Sequence, residues 1–545
     1  MFNELIWFFR REGGFSFWKN IFIMATLAGM ANAGLLAIIN FASRIYQDET
    51  MNYQYFSIYI VVFLIFFIAK KHSILESSKE VERVIRDVRE RISHKIKRSE
   101  LLSIENMDTT KIFTRLTRDT SLISQSASEI LSTAQSLIMV FFALIYIFII
   151  SAPMFFIIII ALGITIAIYT IFSQDVQRDL NTNSKVEDIF YNSLDSAISG
   201  FKEIKINRKK RADLYDYQDE ILNRLYNLKI DLSEKFIAMI MFTEVFLYIL
   251  LGVIVFVVPH LIIEDSITVI QITASLLFII GPIDNAIYIF PLASKTRRSI
   301  KNIRKLEALI DKNMVEHPQD IIEDFTNFKS IDIRDMEFKY INRDNETLFA
   351  IEPVNIKINR GDMIFVVGGN GSGKSTFIKT LLHLYTPSSG GIYLDDDLID
   401  EYSASSYRDL FAIILNDFYL SNKVYGVENI DYRLVNKLLK EMQLDNKTKF
   451  IDGEFTNIEL STGQRKRLAL IVSILENKEI YVFDEWAADQ DPEFRKYFYK
   501  KILKRLKAQG KTIIAVTHDD KYFNLADKIY KMKDGKMNIY KEGDK

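Results

Sequence analysis

Cysteine is absent from the 545 residues, which removes disulfides, thiolate metal ligands and any cysteine nucleophile from consideration. Net charge is nearly absent as well. The 69 Lys and Arg against 70 Asp and Glu leave −1, so no global field draws the chain to nucleic acid. No small-residue cleavage pattern follows the first apolar run, and a removable signal peptide is not expected. Trp7, Phe8, Phe9, Phe17 and Trp18 are interleaved with Arg10, Arg11 and Lys19, a mixture suited to an interfacial helix feeding a membrane span. Internal repeats and low-complexity tails are also missing.

What is present is segregated. Hydrophobic residues make up 49% and charged ones 26%, and the apolar ones gather into six runs. These are Phe17 to Phe41, Tyr53 to Ala69, Glu129 to Ile150, Pro153 to Phe172, Phe236 to Val258 and Ile267 to Phe290. Each meets or approaches the ~20 residues that a helix needs to cross a bilayer. Between them, 70–128 and 174–235 are dense in Lys and Arg, whereas Ser151-Ala152 and 259–266 carry none. The positive-inside rule therefore puts the long loops, the N-terminus and the C-terminal half in the cytoplasm. It also accounts for the basic run Lys202, Lys205, Arg208, Lys209, Lys210 and Arg211 without any nucleic-acid partner.

Val81, Ile85, Val88, Ile92 and Ile96 recur at helical spacing among charged neighbours. The second span is thus expected to continue as an amphipathic helix well below the membrane. Helix hairpins should result, with short helices at their tips near 103–118 and 200–210. The expected organisation is a membrane domain over 1–310, a linker over 311–325 and an α/β P-loop domain over 326–545. In the last, Ser330 to Tyr340, Met363 to Val367, Ile480 to Phe483 and Thr512 to Val516 are strand candidates.

Gly368-Gly369-Asn370-Gly371-Ser372-Gly373-Lys374-Ser375-Thr376 follows one of those strands and opens a helical run. Its glycines let backbone N–H groups wrap phosphates, Lys374 supplies a point charge and Ser375 can ligate Mg²⁺. Asp484, behind the apolar run Ile480 to Phe483, is the expected Mg²⁺ carboxylate, and Glu485 the expected general base for the water that attacks ATP. His518, just past the strand Thr512 to Val516, is suited to bridge the γ-phosphate and Glu485. Leu460-Ser461-Thr462-Gly463-Gln464 is a Ser-rich turn at a helix start, where donors and a positive dipole end face phosphate.

The combination of GGNGSGKST, LSTGQRKR, DEWAADQDPEF and VTHDD resembles the ATP-binding-cassette (ABC) superfamily. The run Asp484 to Phe494, supported by Asn416-Asp417-Phe418, is similar to that of half-transporters exporting cyclic peptides, peptide siderophores of the pyoverdine type, and lasso or lipopeptides. The resemblance implies an ABC-exporter fold, with ATP and Mg²⁺ as cofactors. It implies that Ser461 and Gly463, with Gln464, contact the γ-phosphate held by an opposite subunit, and that Tyr340 stacks on adenine. One phosphate loop and one signature run per chain imply a homodimer. Asn416 stands where many relatives carry glutamine and reaches one methylene less towards metal and water.

Glu244 and Asp284 lie inside predicted spans, where a carboxylate is costly and faces a protein interior or a water-filled cavity. They are candidate substrate contacts, with helix packing as the alternative. Asn32 and Asn40 are candidate interhelical hydrogen-bond partners. The expected function is ATP-driven export of a compact peptide across the inner membrane of a Gram-negative-type cell, within membrane lipid. Periplasmic or outer-membrane export components are partners the resemblance allows. A lipid or glycolipid flippase and a membrane-embedded sensor remain as alternatives. With no cysteine, a leader-removing cysteine peptidase is not expected, so the cargo should arrive already processed.

Overall fold

The computed structural model describes residues 2–45, 53–107, 109–261, 266–312, 323–341 and 346–540. The linker expected over 311–325 lies mostly outside them. The chain divides into two compact units, Met1–Lys97 with Met107–Lys312, and Arg98–Asn106 with Asn313–Lys545.

The first unit is helical. Its long helices run Phe2–Ile45, Tyr53–Lys97, Thr120–Ile150, Ala152–Ser199, Arg208–Gly252 and Ser266–Asp311. Six helical segments among the described residues are long and apolar enough to cross a membrane. Several far exceed the apolar runs in the sequence, because the helical period continues after the apolar composition stops. Along the second helix the buried positions shift to Val81, Val84, Ile85, Val88 and Ile92, set among charged neighbours. Arg91 there donates to Glu307 at 2.8 Å and to Glu12 at 3.0 Å, tying the second, sixth and first helices together.

Higher up, large apolar side chains such as Phe63, Ile65, Phe67 and Ile166 point outward, the surface that lipid chains cover. Two amides there pair across helices. Asn40 donates to the Gln271 carbonyl at 3.3 Å while Gln271 Nε2 donates to the Asn40 carbonyl at 3.1 Å, joining the first and sixth helices. Asn32 likewise bonds Met139. Both amides thus serve interhelical contacts.

The second unit is built on a six-stranded sheet in the order Lys536–Ile539, Lys528–Lys533, Met363–Gly368, Thr512–Val516, Ile480–Asp484 and Phe411–Ile414. All neighbours are parallel except the first pair. Its central strands read as unbroken apolar runs because both faces are covered. Met363, Phe365 and Val367 enter one core cluster, and Ile364 and Val366 enter the other. A four-stranded antiparallel sheet, in the order Thr347–Asn359, Ser330–Ile341, Ser389–Leu394 and Asp397–Leu398, belongs to the same unit.

Short helices lie near both expected hairpin tips, Leu101–Glu105 and Thr109–Thr114 near the first and Phe201–Ile206 at the second, and they do not all belong to one unit. Leu101–Glu105 falls in the second, where Leu101 and Leu102 pack against the core cluster containing Phe338 and Tyr385. A membrane domain drawn as 1–310 therefore includes nine residues, 98–106, that pack with the ATP-binding half. Phe201–Ile206 remains in the first unit.

Candidate nucleotide site

In a parallel sheet the chemistry collects where strands end at their carboxyl edge. Here Gly368 and Asp484 end the two strands that flank Thr512–Val516, and Val516 pairs with both Val366 and Asp484. The segments following these strands meet over one edge. An open cleft of about 330 Å³ there is lined by Tyr340, Phe349, Asn370, Gly371, Gly373, Lys374, Ser375, Thr376 and Glu485.

The phosphate loop needs its glycines for space as well as for backbone angle. A Cβ on Gly368 would lie 2.2 Å from the Met532 carbonyl oxygen, and one on Gly373, at φ 104°, would meet Phe349 at 2.7 Å. Lys374 heads the helix Lys374–Leu381. It is buried, and its Nζ donates to the Gly368 and Gly369 carbonyls at 3.1 and 3.0 Å. Glu485 Oε1 stands 3.6 Å from that Nζ and 3.2 Å from His518 Nε2. Glu485 is held with φ 49°, and its backbone N–H donates to the Val516 carbonyl. A cation and a histidine from two other segments thus converge on the Glu485 carboxylate.

Asp484 is almost wholly buried. Burial pushes its carboxyl above the usual range, against a hydrogen bond from Ser375 that pulls the other way, while Glu485 nearby adds to the rise. Its Oδ1 has no hydrogen-bond partner. A buried, orphaned carboxylate oxygen beside a bonded hydroxyl suits a hard divalent cation such as Mg²⁺, which takes few protein oxygens and keeps several waters. Asn416 is exposed and does not line the cleft. Its neighbour Asp417 instead has a charge that reaches Asp484.

The sequence argument missed Phe349, which lies opposite Tyr340 in the antiparallel register, their rings 6.5 Å apart. Pairing the strand Ser330–Ile341 with the next one would have revealed it. Tyr340 itself also donates to Tyr385 at 3.1 Å.

Ser461, Gly463 and Gln464 do not line the cleft of their own chain. Ser461 caps the helix Thr462–Glu476, and Gln464 closes a capping box by accepting from the Ser461 N–H at 3.3 Å. This helix is clamped to the segment after Glu485. Lys466, fully buried, donates to the Glu485 carbonyl at 2.9 Å and pairs with Asp489 at 2.7 Å. Trp486 Nε1 donates to the Lys466 carbonyl at 2.8 Å, and Gln490 Nε2 to the Gly463 carbonyl at 3.0 Å. Any side chain on Gly463 would put its Cβ 2.5 Å from the Asp489 carbonyl oxygen. The residues after Glu485 thus form a packed joint between that carboxylate and the Ser461 helix.

In the helical unit, Glu244 is half-buried on the fifth long helix, and Asp284 Oδ1 on the sixth is buried without a hydrogen-bond partner. Asp284 is close enough for the Glu244 charge to act on it.

Residues 18–283 match the family described as ABC transporter transmembrane region, and residues 351–488 the family described as ABC transporter. The chain is 28% identical to the ATP-binding protein SyrD of Pseudomonas syringae pv. syringae over 545 residues, covering 95% of this chain and 93% of that protein. A shorter stretch, 39% of this chain, is 30% identical to the energy-coupling factor transporter ATP-binding protein EcfA1 of Mycoplasma mobile, covering 80% of it. Among solved structures, a bacterial Atm1-family ABC exporter with ATP bound has the same fold, with a TM-score of 0.75 at 14% identity over 95% of this chain and 94% of that one. With six helical segments long and apolar enough to span a membrane among the described residues, and one ATP-binding unit, this multi-pass membrane protein belongs to the ABC transporter superfamily, as an ATPase-coupled transporter with the fold of an ABC exporter.

Proposed function

We propose that two copies of this chain form an exporter that carries a cyclic or compact peptide, of the siderophore or lipopeptide class, from the cytoplasm across the inner membrane. One observation carries the pairing: the Ser461 turn does not line its own chain's cleft, so a second copy is needed to bring a signature turn to each bound ATP. The peptide cargo rests on the resemblance carried by the Asp484 to Phe494 run.

In this reading, Tyr340 and Phe349 receive the adenine. Lys374 exchanges the Gly368 and Gly369 carbonyls for β- and γ-phosphate oxygens. Ser375 and Asp484 would hold Mg²⁺, which when bound neutralises charge on the phosphates. Glu485 accepts a proton from the water attacking the γ-phosphorus, as the bond to the β-phosphate oxygen breaks to leave ADP and phosphate. His518 holds that carboxylate in line, and the partner's Ser461 turn closes the site. Closure then switches the membrane helices between inward- and outward-facing states, with hydrolysis as the reset.

The test is ATP-dependent uptake by inside-out proteoliposomes, comparing a cyclic lipopeptide probe with a fluorescent phospholipid. Peptide accumulation is the expected result. Translocation of lipid alone would replace the reading with a flippase. ATPase modulation without movement of either probe would replace it with a sensor.

A further inference from the structure

The short helix Leu101–Glu105 ends in a carboxylate held from two directions. Lys379 Nζ donates to Glu105 Oε1 at 2.7 Å, and the Tyr385 hydroxyl donates to Glu105 Oε2. Lys379 belongs to the helix that Lys374 opens at the phosphate loop. Tyr385 is buried, with its ring stacked on Phe338 at 5.0 Å. Its hydroxyl accepts from Tyr340, a wall of the nucleotide cleft, at 3.1 Å and from Lys379 at 3.4 Å. Both ends of the cleft therefore lead to Glu105. The base end arrives through Tyr340 and Tyr385, the phosphate end through the Lys374 helix and Lys379.

We propose that Glu105 is the positioning residue through which nucleotide binding is read out to the membrane helices, with Tyr385 as its obligatory relay from the adenine end of the cleft. The proposal rests on the ATP-driven transport reading above. Residues 98–106 are continuous with the second membrane helix, which ends at Lys97, so a pull on Glu105 acts directly on that helix's end. A change in Tyr340 when a base stacks on it alters what the Tyr385 hydroxyl accepts. The hydrogen bond that Tyr385 gives Glu105 changes in step, because donors and acceptors in a chain polarise one another. A second contact, Thr386 to Glu100 at 3.0 Å, also holds the loop but leads to no cleft residue. It provides the control, because a helix that is merely glued in place would use both contacts alike.

The experiment uses the full-length protein in proteoliposomes. Since the chain has no native cysteine, Ile149→Cys places a single thiol at an exposed position at the far end of the third long helix. Maleimide labelling is measured with and without ATP, together with basal ATPase activity. Glu105→Gln and Tyr385→Phe are expected to keep basal kcat within about twofold and to reduce the ATP-dependent change in labelling by about fivefold or more. Thr386→Ala should keep that change in full, and Glu105→Lys combined with Lys379→Glu should regain part of it. Should Glu105→Gln and Tyr385→Phe respond to ATP as the parent does, or Thr386→Ala fail equally, the inference is overturned while the transport reading stands. A parent that hydrolyses ATP but shows no ATP-dependent labelling overturns both.

Discussion

The two short loop helices are alike in length and opposite in circumstance. Leu101–Glu105 is seated on the ATP-binding unit of its own chain by Leu101, Leu102 and Glu105. Phe201–Ile206 shows solvent an exposed apolar surface, with Phe201 60% and Ile206 87% accessible. An apolar helix tip left bare at the end of a hairpin is a candidate surface for a partner. One loop helix is thus covered within its own chain and the other is left exposed, and in the proposed homodimer the second would rest on the other copy.

The severest test of this contrast removes the driving force for closure. Lys374→Ala should cut ATP turnover by at least about 100-fold through loss of the phosphate-binding charge. In that background ATP should no longer shield a thiol introduced by Ile206→Cys, as read by maleimide labelling. Glu485→Gln should lower turnover by about 100-fold, since it removes the general base, yet retain ATP and accumulate closed dimers. Light scattering should then show the dimer, and the 206 thiol should be protected. Near-normal hydrolysis by that variant would take Glu485 out of the base role.

Smaller effects sharpen the comparison itself. Phe201→Asp with Ile206→Asp should weaken dimerisation by about tenfold, as expected when apolar anchors are lost from an interface, and leave thermal stability of the separated chain unaltered. The opposite pattern belongs to the seated helix. Leu101→Ala should destabilise the ATP-binding unit by about 1 kcal/mol, being half-buried, whereas Phe201→Ala should change it by less than about 0.5 kcal/mol. Equal unfolding midpoints for the two alanine variants would erase the distinction.

The sequence exposed whatever is local. The strands Met363–Gly368, Ile480–Asp484 and Thr512–Val516 were legible because their apolar runs match a sheet buried on both faces, and bilayer thickness sets the length of the spans. Glu485, His518 and Lys374 were legible because each follows a strand end. The tie from Glu105 to Tyr385 was not, since 280 residues separate the two. Nor was the place of residues 98–106, since a five-residue helix is too short to show periodicity and its apolar seat comes from distant chain. Asn416, a metal contact by analogy alone, sits exposed beside Asp417, one of the charges felt at Asp484.

The clamp between Lys466, Trp486 and Gln490 has a consequence for timing. It joins the carbonyl of Glu485 to the helix beginning at Ser461, and in the proposed dimer the first acts on the ATP of its own chain while the second serves the ATP of the other. On that proposal the segment is a lever with one end in each reaction, so a shift of Glu485 as a phosphate leaves would also shift what the neighbouring site can grip. Two such levers, related by a twofold axis, make the firing of one site a signal to the other. Turnover in the pair should therefore proceed by turns, and a dimer with one disabled carboxylate should fall well below half speed.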